Sequence, residues 1–227
     1  MQIGGIQKTS LLDYPEKISA IVFTKGCNFH CGYCHNPELF LSNTGQALSA
    51  SDFLEFLKNR QGKLDAVVIT GGEPCLQKDL KEFILEIKNL GFLVKLDTNG
   101  GFPEVLEEVL PHIDYVAMDI KAPFEKYPLI TCSKLDTAKI QKSIELIMNS
   151  NIDYEFRTTV VKSQLGLEDF LKISEIIKGA KKYYLQKFLP TKLLNTEFEK
   201  ETTYSDIEFL EIIRNIQHNF KEIKLRS

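Results

Sequence analysis

Apolar, often β-branched runs alternate with stretches of helical period along most of the chain. ISAIVFTKG (18–26) predicts a buried strand, and SASDFLEFLKNR (49–60) a helix with Ser49 or Ser51 as its cap and Phe53, Leu54 and Leu57 facing the core. AVVITGG (66–72) predicts a second strand ending in two glycines. QKDLKEFILEIKNLG (77–91) has the amphipathic period of a helix stopped by Gly91. The series continues with strand FLVKLDTNG (92–100) and the short helix PEVLEEVLP (103–111), opened by Pro103. Next come strand YVAMDIKA (115–122) and helix DTAKIQKSIELIMNS (136–150), then strand DYEFRTTVV (153–161) and helix GLEDFLKISEIIKGA (166–180). Strand KYYLQKFLP (182–190) and helix SDIEFLEIIRNIQHNF (205–220) complete the series, and EIKLR (222–226) predicts a short edge strand.

Six strand–helix units in a row imply a parallel sheet with right-handed crossovers. Six are too few to close a full eight-unit barrel. The expected fold is α/β, a partial, open (β/α)6 barrel, with a doubly wound open sheet as the alternative. No linker or low-complexity stretch interrupts the series, so residues 1–227 are expected to form one domain. Its core spans about 18–190, and 191–227 add a helix and tail. In either architecture the working end is the carboxyl end of the strands.

Composition narrows the function classes. Of 227 residues 43% are hydrophobic and 26% charged, enough for a sizeable core. Net charge is −3 and no dense Lys/Arg block occurs, which argues against a nucleic-acid partner held by phosphate neutralisation. No apolar run approaches the roughly 18 residues of a membrane helix, and the first residues lack a signal-peptide pattern. A cytoplasmic protein without membrane contact is expected. Its five cysteines, an odd number in a reducing compartment, point to metal or redox chemistry rather than disulfides.

Polar residues gather just past the strands. The first strand is followed by TKGCNFHCGYCHNPELF (24–40), with Cys27, Cys31 and Cys34. The second is followed by Gly71-Gly72-Glu73-Pro74. The third ends in Asp97-Thr98-Asn99-Gly100, and the fourth carries Asp119 and Lys121. Residues two apart in a strand share a face, so Asp97 pairs with Asn99 and Asp119 with Lys121 on one rim. The cysteine cluster admits three readings. A zinc site would need His35, adjacent to Cys34, as its fourth ligand, since no second ligand pair is visible. Cys31-Gly-Tyr-Cys34-His35 has the form of a c-type haem attachment, which the expected compartment disfavours. A three-thiolate iron–sulfur cluster would leave one iron open to a small molecule.

Cys27-x3-Cys31-x2-Cys34, with Tyr33 before the last cysteine, resembles the signature of the radical S-adenosylmethionine superfamily. Gly71-Gly72-Glu73-Pro74 resembles that family's second motif. Together with GGIQKTSLLDYP (4–15), DTNG, MDIKAP and YLQKFLP, these motifs are similar to the glycyl-radical-enzyme activases, most of all to those serving the anaerobic ribonucleoside-triphosphate reductase. Recognisable pieces run from residue 3 to about 190.

The resemblance implies a [4Fe–4S] cluster on Cys27, Cys31 and Cys34 whose fourth iron binds S-adenosyl-L-methionine. It also implies a flavodoxin or ferredoxin electron donor. A 5′-deoxyadenosyl radical would then take a hydrogen atom from a backbone glycine of a partner glycyl radical enzyme, anaerobic ribonucleotide reductase first among the candidates. By the same resemblance Tyr33 packs by the adenine, and Gly71, Gly72 and Glu73 hold the methionine amino group. Asp97 meets that group too, with Thr98 beside it, and Lys121 meets the methionine carboxylate. Asp119 faces the ribose or, with Asp97, a monovalent cation. Gln186 lies where a related activator family carries a ligand-contacting histidine. Arg157 has two readings, contact with the nucleoside or carboxylate, or a partner-facing or strand-end salt bridge. His30 and His35 are expected beside the site without ligating metal, Cys75 as a buried filler and Cys132 as structural.

Overall fold

The computed structural model describes residues 1–40 and 49–226. One eight-stranded sheet runs through them in sequence order. Its strands are β1 (Ile3–Ser10), β2 (Ser19–Thr24), β3 (Ala66–Gly71), β4 (Leu93–Thr98), β5 (Tyr115–Asp119), β6 (Asp153–Val160), β7 (Lys182–Lys187) and β8 (Glu222–Arg226). β2 to β8 are mutually parallel. Among the described residues β1 and β8 are the two free ends of this order. The architecture is the partial, open (β/α)6 barrel, extended by one strand at each end.

The predicted helices appear as α1 (Ala50–Lys58), α2 (Leu80–Asn89), α3 (Pro103–Val109), α5 (Thr137–Met148), α6 (Leu167–Ile176) and α7 (Asp206–Ile216). Ser49 is the cap of α1: it accepts from Asp52 N at 3.0 Å, and Asp52 accepts from Ser49 N at 3.3 Å. Helix α2 begins later than its period suggests, because Pro74 opens a tight turn and Gln77 stays extended. A short helix, α4 (Tyr127–Thr131), was not anticipated.

β1 was not expected either. Its pairing with β2 is antiparallel and twice irregular, and only Ile3 and Ser10 of its eight residues are buried. An edge strand exposed on both faces, with Gly4-Gly5 inside it, carries no period of two for a sequence reading to find.

Strand alternation sorts the two faces. Val94, Leu96, Val116, Met118 and Phe156 point outward and pack against helical residues such as Phe83, Ile84, Ile144 and Phe170. Inside, a small apolar plug of Tyr14, Ile21, Ala66, Val68 and Tyr115 fills the amino-end mouth. Above the plug the inner face turns polar. The sheet continues through β8, which pairs with β7 in parallel. Among the described residues no helix is long and apolar enough to cross a membrane.

Candidate active site

Residues 25–40, which follow β2, are pinned from several sides. Lys25 N donates to Gln2 O just before β1 (2.9 Å), Gly26 N to Leu39 O (2.9 Å) and His30 N to Thr131 O of α4 (2.8 Å). Within it, Cys34 N donates to Cys31 O at 3.0 Å, closing a turn. Cys27, Cys31 and Cys34 all line one cavity of about 210 Å³ at the carboxyl end of the strands. Burial pushes the Cys27 thiol up to about 12 against the Phe29 N–H that it accepts. Burial likewise takes Cys31 up to about 11, with Lys121 opposing. These thiols ionise readily only if a cation stands among them. Among the described residues no three His, Cys, Asp or Glu side chains converge as a single ion requires. Three thiols lining one cavity are the donor set of a cluster held by three thiolates.

Gly71 and Gly72 form the next wall. Gly72 N donates to Thr24 O (2.9 Å) and Glu73 N to Gly26 O (2.8 Å), stitching the end of β3 to the cysteine loop. A Cβ at Gly72 would overlap the Gly26 carbonyl, so glycine alone permits the approach. The result is a backbone ledge with no side chain between it and a ligand.

Glu73 departs from its expected place. It is fully buried and does not line the cavity. Its carboxylate turns under the ledge, where Oε1 accepts from Cys75 N (3.0 Å) and Thr98 Oγ1 (2.8 Å), and Oε2 accepts from Asn99 N (2.7 Å). Burial raises its pKa, and these bonds oppose the rise. Glu73 braces the loop after β4, and its carboxylate does not line the cavity in this structure. Glu73→Ala strands three buried donors, each costing about 1–3 kcal/mol. A loss of about 3 kcal/mol or more is expected by chemical denaturation of the metal-free chain. A change under about 1 kcal/mol would contradict the brace.

The braced loop turns Asn99 back toward the cysteines. Its Nδ2 donates to Asn28 Oδ1 (2.8 Å) and lies 3.6 Å from Cys27 Sγ. Cys75 is the buried filler expected, its Sγ 3.7 Å from Thr98 Oγ1. Cys132 is not structural: it is exposed, at the left-handed end of α4.

Across the barrel runs a ladder of five charges. Lys95 Nζ meets Asp97 Oδ1 (2.7 Å), Arg157 Nη1 meets Asp97 Oδ2 (3.0 Å), Arg157 Nε meets Asp119 Oδ1 (2.9 Å) and Lys121 Nζ meets Asp119 Oδ2 (2.9 Å). Strand register makes this possible, since Asp119 of β5 lies opposite Arg157 of β6. Burial alone would raise both carboxyls. Arg157, with Lys95 at Asp97 and Lys121 at Asp119, overcomes it and holds both below the usual range. Arg157 thus makes the salt bridges of one reading and also lines the cavity. Every oxygen of the two acids already has a cationic partner. Lys121 Nζ also lies 5.9 Å from the centre of the Tyr33 ring, itself buried in the wall.

A second polar layer lies below. Arg226 of β8 grips buried Glu155 with both nitrogens (2.6 and 2.8 Å), and Tyr115 OH donates to the same carboxylate (2.9 Å).

Of the expected site residues, Cys27, Cys31, Tyr33, Cys34, Gly71, Gly72, Asp97, Thr98, Asp119 and Lys121 all face this cavity. Gln186 does not. It pairs in register with Thr159, the lining residue on that side, and stands one strand farther out. Phe29, Phe40, Thr70 and Thr159 line the cavity without having been singled out. Thr70 and Thr159 could have been found by counting the inward face of their strands to the carboxyl end.

A family profile described as the Radical SAM superfamily matches residues 21–178. A Methanocaldococcus jannaschii protein named as a candidate glycyl-radical enzyme activating enzyme is 38% identical, over 99% of this chain and 95% of its own. The pyruvate formate-lyase-activating enzyme of Clostridium pasteurianum is 30% identical, over 88% of this chain and 86% of its own. Among solved structures, a domain of the pyruvate-formate lyase-activating enzyme from Bacteroides vulgatus superposes with a TM-score of 0.59. It covers 72% of this chain and 99% of that domain at 16% identity, a likeness of fold alone.

Proposed function

The chain belongs to the radical SAM superfamily and, within it, to the glycyl-radical-enzyme activating enzymes, and on that premise we propose that it generates the glycyl radical of an anaerobic ribonucleoside-triphosphate reductase. The observation that carries the site is the grouping of three thiols and a side-chain-free glycine ledge around one cavity. When bound, the [4Fe–4S] cluster supplies the electron that cleaves S-adenosylmethionine to methionine and a 5′-deoxyadenosyl radical. The residues do the rest. Cys27, Cys31 and Cys34 would hold the cluster, and the Gly71–Gly72 backbone would receive the methionine amino group. Lys121 and Arg157 would receive its carboxylate, the ladder acids keeping both cations in place. Tyr33 would flank the adenine. Apolar Phe29 and Phe40 would keep water from the reactive carbon.

The reductase is favoured by the joint pattern of GGIQKTSLLDYP, DTNG, MDIKAP and YLQKFLP. A second target, a pyruvate formate-lyase-type enzyme, is favoured by the Clostridium pasteurianum relative. A flavodoxin or ferredoxin of the same reducing compartment would supply the electron. Electron paramagnetic resonance of an anaerobic mixture of activase, S-adenosylmethionine, reductant and the cognate reductase is expected to show a glycyl doublet. A doublet only with a formate-lyase-type partner would reassign the target, and none with either would remove both.

A further inference from the structure

We propose that residues 188–200 are a positioning strap for the Cys31–Cys34 turn, with Phe198 as the residue that sets where Tyr33 and the two thiols stand. The link to ligand affinity rests on the function proposed above; the strap itself does not.

The turn has little structure of its own. One internal hydrogen bond closes it, and Gly32 sits in the middle. The strap supplies what is missing. Leu194 N donates to Cys34 O and Asn195 N to Gly32 O, both at 3.0 Å. The Phe198 ring lies so close over Gly32 that a Cβ there would overlap it, and its centre is 6.3 Å from that of Tyr33. At the near end of the strap the rings of Phe188 and His35 stand 6.0 Å apart. Lys192 reaches Glu38 at 2.9 Å.

The strap is itself fixed. It leaves β7 directly, and Asn195 caps its helical turn by accepting from Glu197 N at 2.9 Å. Beyond its far end Lys162 N donates to Thr202 O at 2.9 Å. Thr203 Oγ1 donates to Val160 O at 2.8 Å. A segment tied at both ends to β6 and β7 thus reaches over the cysteine turn and holds it by backbone and ring. Because Tyr33 also lies beside Lys121, a shift of the turn would disturb two walls of the cavity at once.

Phe198 is only half-buried, so its loss need not unfold the chain. In the metal-free protein, Phe198→Ala is expected to speed iodoacetamide alkylation of Cys34 by about tenfold, with Cys75 unchanged, because the turn opens locally. In the loaded enzyme the same change is expected to raise KM for S-adenosylmethionine about tenfold while kcat stays within about twofold, a loss of ligand binding rather than of chemistry. Gly32→Ala should do the same by pushing the ring away. The Gly32→Ala/Phe198→Ala pair should be no worse than either single change, since the added methyl then fills the space the ring vacated. Phe198→Leu gives a milder version if the alanine variant does not fold. Unchanged Cys34 alkylation, or losses that multiply in the pair, would overturn the strap. If the unaltered chain cleaves no S-adenosylmethionine, the functional reading falls and the alkylation result alone decides the strap.

Discussion

Serine in place of Cys27, Cys31 or Cys34 is expected to abolish both iron retention and 5′-deoxyadenosine formation, each change acting alone. The loss should exceed the roughly 100-fold typical when only an outer partner of a metal site is removed. The reason is geometric. The three cysteines line one cavity, and among the described residues no other cysteine lines it. Asn99, the polar side chain beside Cys27, offers an N–H donor and not a ligand. Cys75→Ser and Cys132→Ser supply the contrast. The first thiol is buried against Thr98 and Glu73, away from the cavity, and the second is exposed. Both variants should keep about four irons per chain after anaerobic reconstitution, as a cubane requires. If Cys132→Ser also lost its iron, a four-thiolate site would replace the three-thiolate one.

The cysteine triad was legible because its meaning lies in spacing along eight consecutive residues, and the barrel because its strands are continuous apolar runs. The glycine pair was legible as a motif, yet its physical reason, the Gly26 carbonyl lying against Gly72, needs two chain segments brought together. Glu73 shows the limit more sharply. Its place in the motif suggested a ligand contact, whereas the donors that capture it, Thr98 Oγ1 and Asn99 N, lie at the end of β4 some 25 residues away. No local pattern announces that. The same holds for Arg157, whose two partners are supplied by strand register. It holds again for residues 191–200, which carry no motif because their work is done by backbone N–H groups and one ring.

Arg157→Met is expected to be among the most damaging changes outside the cysteines and glycines. Arg157 is the centre of the ladder, joined to both Asp97 and Asp119 and itself largely buried. Methionine preserves much of its volume but leaves two carboxylates served by one lysine each. Removing one member of a buried pair costs about 3–5 kcal/mol. Lys95 and Lys121 remain, so about 3 kcal/mol is the expected loss. The pH dependence separates this cause from simple loss of packing. Asp97 and Asp119 have folded-state pKa values below their unfolded ones, so their contribution is present above the unfolded value of about 3.9 and disappears as pH falls through the folded values. Without Arg157 both folded values rise. The acid limb of the stability curve should then move to higher pH, and the gap in melting temperature from the unaltered chain should narrow between about pH 7 and 3 as the unfolded carboxyls protonate. The alkaline side behaves oppositely. Lys121, held well above its usual value chiefly by Asp119 against the cost of burial, contributes below its unfolded pKa and loses that contribution only as pH rises through the folded one. An arginine that served packing alone would lower the whole curve by a constant. A uniform drop across that range would therefore show that the ladder does not hold the two carboxylates ionised, and the charge support assigned here to Lys121 at the ligand would go with it.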